Sequence, residues 1–159
     1  MILLTVGTQL RFDRFVSVVD EWAHKNPEAE ILAQIADGEY LPKHMQYVEY
    51  LKGEKYTTAF NRASVVLSHA GMGTVISSLI ASKPVVVFPR KASLGEHRNE
   101  HQLATCSKIT CLKGCYVAYE PDELFHRLDQ LSTLEGGSIG PFANNDLLKT
   151  IDQFISSQV

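Results

Sequence analysis

Between Ser64 and Pro89 the chain reads as strand, glycine turn, helix and strand, and this unit constrains the fold more than any other stretch. Val65-Val66-Leu67 is an apolar run that gives way to the small and polar residues Ser68 to Thr74. Met72, Val75, Ile76, Leu79 and Ile80 then recur at helical spacing, and Lys83-Pro84 opens the apolar run that closes at Pro89. In such a βαβ unit the turn glycines let the backbone approach a ligand. The helix's first N–H groups and its positive dipole end then face an anion, which points to a phosphate or diphosphate guest.

The flanking segments repeat the alternation. Ile2–Val6 reads as a buried strand ending at Gly7-Thr8, and Phe12, Phe15, Val16, Val19, Trp22 and Ala23 mark one face of a helix. Glu30–Ala36 and Met45–Leu51 read as strands, and Glu54–Arg62 as a short helix. Beyond the central unit, Glu96–Ile109 reads as a helix and Cys115–Tyr119 as a strand. A further helix starts at Pro121 with Asp122 and Glu123 in its first turn. Gly136–Gly140 reads as a loop, and Asn145–Ser156 as a closing helix. Strands alternating with helices, several of them continuously apolar, predict an α/β fold: a Rossmann-like parallel sheet with helices on both faces. Ligands of such sheets bind outside the carboxyl ends of the strands, so Gly7-Thr8, His69–Thr74 and Arg90–His97 are expected to gather there.

At 159 residues the chain fits a single domain, residues 1–159, with a proper core. A net charge of −3 leaves no basic footprint for nucleic acid. No apolar run approaches the roughly 20 residues that span a bilayer, and Met1–Val6 is too short for a signal peptide and lacks its basic flank. Cys106, Cys111 and Cys115 are odd in number and lack CxxC spacing, which reads as reduced thiols in a cytoplasmic protein rather than a metal site.

Three constellations carry chemistry. Gly71-Met-Gly-Thr-Val-Ile76 is an incomplete dinucleotide fingerprint, with Ile76 where the third glycine belongs. Its glycines could serve only a tight turn, but Ser68, His69 and Thr74 bring more polar groups than a turn needs. His97-Arg-Asn-Glu-His101 matches the HxxEH zinc pattern, in which two histidines on one helix share a metal. No third ligand is evident, and a solvated helix start explains the same residues. Arg90, Lys91, His97 and Arg98 follow a strand, where they can meet an anion or simply solvent.

Taken in order, Val6-Gly-Thr8 with Phe12-Asp13, Ser68-His-Ala-Gly-Met-Gly-Thr74, Lys83–Pro89, and Glu96-His97 before Asn99-Glu-His-Gln102 resemble glycosyltransferase family 28 of the C-terminal-domain type. The likeness runs over roughly residues 1 to 131 and departs from the family pattern after Gln102, at Leu103-Ala-Thr-Cys106. It is nearest to the stand-alone subunits, of the bacterial exopolysaccharide PssE/EpsF type and of the dolichol-pathway N-acetylglucosaminyltransferase type. The resemblance implies the C-terminal, donor-binding half of a GT-B enzyme. That half would use a UDP-sugar as donor substrate, without a cofactor or metal. The donor residues it implies are Gly7, Thr8, His69, Ala70, Gly71, Met72, Gly73, Thr74, Arg90, Glu96, His97, Asn99, Glu100, His101 and Gln102. His69 would donate to a phosphate oxygen, and Asn99 to Gln102 would face the nucleoside or sugar hydroxyls.

The expected reaction is inverting hexosyl transfer to a lipid-linked glycan acceptor in bacterial polysaccharide assembly, at the inner face of the cell membrane. A membrane-anchored partner subunit is expected to supply the acceptor half and the catalytic base, and the lone chain to self-associate. The alternatives are a non-catalytic nucleotide-sugar-binding subunit and, remotely, an HxxEH zinc hydrolase.

Overall fold

The computed structural model describes residues 1–140. Among them six strands form one sheet: β1 (Ile2–Thr5), β2 (Ile31–Gln34), β3 (Gln46–Val48), β4 (Val65–Ser68), β5 (Val85–Val87) and β6 (Cys115–Val117). All neighbours are parallel, in the order β3-β2-β1-β4-β5-β6. The helices are α1 (Asp13–Lys25), α2 (Glu54–Arg62), α3 (Met72–Ile80), α4 (His101–Ile109) and α5 (Pro121–Asp129).

The continuous apolar runs have the cause their pattern predicts: each strand is covered on both faces. Successive residues point to opposite sides, so Leu4, Leu67 and Val86 join a core with Phe15, Val19 and Trp22 of α1 and Leu124 and Leu128 of α5. Leu3, Val66, Val85 and Val87 join a second core with Ala59 of α2, Val75 and Leu79 of α3, and Cys106 and Ile109 of α4. The first layer is pinned by Trp22, whose indole N–H donates to Asp129 across 2.8 Å. Burial pushes the Cys106 and Cys115 thiols up to about 12 and about 11, and all three cysteines are free.

The strands are shorter than their apolar runs, because Val6, Ile35 and Phe88 continue into buried turns. A larger correction falls on Glu96–Ile109, where the helix begins only at His101. Two carboxylates hold the preceding residues out of it. Glu96 accepts from the Arg14 guanidinium at 2.7 and 2.8 Å and from the Lys91 amide at 2.9 Å. Glu100 accepts from the Ala92 and Ser93 amides of a 3-10 turn at 3.1 and 3.2 Å. Side chains that capture nearby backbone donors in this way compete with helix formation.

The 136–140 segment is a loop, as expected, and it also crosses beneath the sheet. It passes from the α1–α5 side to Ile139, which packs on the α2–α4 core. A Cβ on Gly137 would sit 1.6 Å from the Lys113 carbonyl oxygen, so no side chain fits at that crossing. The expected helix at Asn145–Ser156 lies outside the described residues.

Candidate functional site

The chain winds outward from β1 through β2 to β3, then returns to lay β4 against the other side of β1. Loops leaving the carboxyl ends of β1 and β4 therefore diverge and open a crevice, the place where sheets of this winding bind ligands. A cavity of about 650 Å³ occupies it. A polar row floors the crevice, because strand register sets Thr5 opposite both Gln34 and Ser68. Buried Gln34 links its walls: its Nε2 donates to the Gly7 carbonyl at 2.9 Å and to Thr5 Oγ1 at 3.3 Å, and its Oε1 accepts the Leu51 amide at 2.9 Å.

His69 stands at the centre. Its ring is wedged between Gly7 and Gly71: a Cβ on the first would lie 2.6 Å from its Cε1, and one on the second 2.4 Å from its Nε2. Both glycines are thus required by close approach, and Gly7 also has φ +82°. Burial, reinforced by the positive charge of Arg90 and opposed by the Thr5 carbonyl, lowers the imidazole from 6.5 to about 4. The ring is therefore neutral near pH 7, with one N–H donor and one lone pair. Its Nδ1 is buried without a partner among the described residues.

The sign of the resulting pH dependence follows. Between about 4 and 6.5 the unfolded chain holds a proton on this ring that the folded chain does not, so stability rises with pH across that window and is level above it. The expected result is an NMR titration in which the His69 ring stays neutral at pH 5.5. A His69→Gln variant should show a shallower loss of stability on acidification. A ring that titrates near 6.5 in the folded protein would contradict the wedge.

The first turn of α3 opens on the same cavity. Gly71 turns its amide back to the His69 carbonyl at 2.7 Å. The amides of Met72, Gly73 and Thr74 have no acceptor among the described residues, as expected of a helix start with no side-chain cap. A Cβ built on Gly73 meets nothing within 4 Å. Three donors, a helix dipole and a bare glycine edge together form a cradle for an anion.

Of the residues expected at the site, Gly7, Thr8, His69, Gly71, Gly73, Thr74, Arg90, His97 and Gln102 line the cavity. Ala70 is buried in the core, and the Met72 side chain points outward. Glu96 and Glu100 are held by the contacts given above. Asn99 turns its Oδ1 to the His101 amide at 3.2 Å, and neither Asn99 nor His101 reaches the cavity. Of residues 99 to 102, expected to face a ligand together, only Gln102 lines the cavity. Its Oε1 accepts the Ala70 and Arg90 amides at 3.3 and 2.9 Å and clips two loops together.

Arg90 also departs from its expected role. Its guanidinium is buried against the β1–α1 loop and donates to the carbonyls of Val6, Leu10 and Arg11 rather than projecting to meet an anion. The ring of Phe12 lies 4.5 Å beneath it. Burial lowers this group to about 10, which leaves it charged at neutral pH.

The HxxEH premise fails on geometry. His97 sits in a turn, with its Nδ1 3.0 Å from the Asn99 carbonyl oxygen, and His101 is the first residue of α4, so the two share no helical face. Among the described residues no group of three His, Cys, Asp or Glu side chains is placed to hold a metal.

Thr5, Val6, Gln9, Leu10, Gln34, Leu51, Gly53 and Tyr56 also line the cavity and were not foreseen. Gln34 had a signal, as a lone amide ending an apolar strand. Leu51 to Tyr56 follow β3, so the rule that places ligands after strand ends could have found them.

Solved structures share this fold. The chain aligns with the NMR structure of ALG13 at TM-score 0.61 and 16% identity, over 94% of this chain and 93% of that one. It aligns with the kitacinnamycin glycotransferase at TM-score 0.63 and 19% identity, over 83% of this chain and 34% of the other. With MurG of Acinetobacter baumannii the TM-score is 0.54 at 18% identity, over 84% of this chain and 42% of the other. The chain thus spans about a third to two fifths of the larger enzymes and nearly all of ALG13. None of the curated protein sequences compared matches it. The architecture is that of the C-terminal half of a GT-B glycosyltransferase. The family model described as "Glycosyltransferase family 28 C-terminal domain" matches residues 1–134, and the chain therefore belongs to that family.

Proposed function

We propose that the chain is the donor-binding, catalytic subunit of a glycosyltransferase. It takes a UDP-sugar and transfers the sugar, with inversion, to a lipid-linked glycan acceptor in bacterial polysaccharide assembly. The observation that carries this reading is the set of uncommitted amides at Met72, Gly73 and Thr74, opening beside His69 at the junction of β1 and β4. Glycosyl transfer needs the departing diphosphate stabilised. Preorganised amides and a helix dipole do this from fixed positions. A neutral imidazole adds a hydrogen bond there without drawing a counter-ion into the site. The lining at Gln34, Leu51 and Tyr56 is left for the nucleoside.

The acceptor hydroxyl must lose a proton as it attacks, yet among the described residues no aspartate or glutamate lines the cavity, and His69 is given to the diphosphate. We assign the base to a second lobe, carried by a membrane-anchored partner that also holds the acceptor and closes the crevice against water. In this reading the chain works at the cytoplasmic face of the membrane.

Calorimetric titration with UDP tests the donor site. Saturable one-to-one binding is expected, with much weaker binding of uridine because it lacks the diphosphate. Equal affinity for UDP and uridine would remove the cradle from the reading. Assays with UDP-sugars and lipid acceptor, with and without the candidate partner, then test the division of labour. Full turnover by the chain alone would refute it.

A further inference from the structure

We propose that the outer face of α3 docks on an anionic lipid surface, so that this subunit touches the membrane directly. Met72, Ile76 and Ile80 are 43%, 39% and 45% exposed, three large apolar side chains in one row at helical spacing. α3 carries no charged residue, so nothing on the helix breaks the row. Its inward residues Val75 and Leu79 are already buried in the core, and among the described residues the row belongs to neither core cluster.

Charge identifies what covers it. In the layer that contains α3, the flanking helices α2 and α4 expose Lys55, Arg62 and Lys108 against the single acid Glu54. Arg62 also reaches Glu30 at 3.0 Å, at the edge of this layer. The opposite layer is acidic: α1 and α5 carry Asp13, Asp20, Glu21, Asp122, Glu123 and Asp129 against Arg14, Lys25 and Arg127. On a chain of net charge −3, the cationic face is thus the one that bears the apolar row. An apolar strip between basic side chains matches an anionic bilayer. The row enters the interface while the lysine and arginine heads reach the phosphates.

The row also has a direction. Met72 is the first residue of α3, beside the uncommitted amides, so a bilayer lying along Met72, Ile76 and Ile80 ends at the mouth of the cavity. A lipid-borne reactant would need to travel only along that surface. The docking itself is independent of the nucleotide-sugar reading.

The test is flotation of the full chain with vesicles of phosphatidylcholine alone, and of phosphatidylcholine with phosphatidylglycerol. Flotation is expected with the anionic vesicles only, and it should weaken as salt rises. Replacing Ile76 and Ile80 together (Ile76→Glu with Ile80→Glu) should lower the bound fraction by at least about tenfold, since both residues would leave the interface. Leu41→Glu, at an apolar residue 56% exposed in the β2–β3 connection, should change nothing. Circular dichroism and UDP calorimetry on each variant show that fold and cavity are intact. Absence of flotation with anionic vesicles overturns the proposal, and so does equal flotation of the Ile76/Ile80 variant. A self-association that the variant abolishes, without vesicle binding, would assign the row to a second copy and also overturn it. Vesicle binding without UDP binding would leave the docking intact and remove the proposed donor site instead.

Discussion

Gly73→Val is expected to abolish UDP binding while leaving the domain folded. The ideal Cβ at this position meets no protein atom within 4 Å, so an isopropyl group enters the cavity rather than the core. It lands among the Met72, Gly73 and Thr74 amides, where phosphate oxygens must approach to within about 2.9 Å. Hydrogen bonds to a charged group contribute roughly 1.5–3 kcal/mol each, so losing even two should weaken binding by at least about 100-fold. The helix itself does not suffer, since valine is about 0.3 kcal/mol better than glycine in a helix interior. Gly73→Ala should fall between, because a lone methyl group displaces less of the ligand. Calorimetry alongside a thermal melt separates the outcomes: a folded Gly73→Val protein with undiminished UDP affinity would end the assignment.

Arg90→Met should unfold the domain more readily than any change to the cavity's rim. Arg90 is 2% exposed, and its guanidinium satisfies the carbonyls of Val6, Leu10 and Arg11 in the loop that carries Gly7 and Thr8. Methionine fills most of the volume over Phe12 but offers no donor. Buried acceptors stranded in this way cost about 1–3 kcal/mol each, and some will recover water, so a loss of about 3–4 kcal/mol is expected. For a domain of this size that is a fall of roughly 6–15 °C in melting temperature. Arg90→Lys retains charge but not the three-way fork, and should lie between the two. The alternative outcome is informative: a variant that melts with the wild type yet loses UDP would mean that the guanidinium serves the ligand rather than the loop.

Both predictions turn on what could be read along the chain. Local chemistry alone marked the organising unit. The apolar run at Val65–Leu67, the glycines at 71 and 73 and the helical spacing from Met72 to Ile80 are a short-range pattern, and β4 and α3 occupy those residues. The parallel, twice-covered sheet was legible for the same reason, since burial on both faces writes itself into continuous apolar strands. His69 and the glycines beside it stood out because a polar, flexible turn after such a strand is visible without knowing its neighbours.

Tertiary structure decided what long side chains do. Arg90 and Glu96 looked like residues for a ligand because sequence shows a charge but not its partner. Arg90's acceptors lie 79 to 84 positions away and Arg14 lies 82 from Glu96, distances that only the sheet order closes. The same holds where α4 begins. Helical propensity runs through Glu96–Glu100, but two carboxylates find backbone amides in the folded chain and keep those residues in a loop. Gln34 entered the site because register sets it beside Thr5. Periodicity and turn chemistry are properties of neighbours in sequence, so the sequence by itself determined the fold and the glycine turn that opens α3. The pairing of buried charges and amides is a property of neighbours in space, and only the packed sheet assigns it.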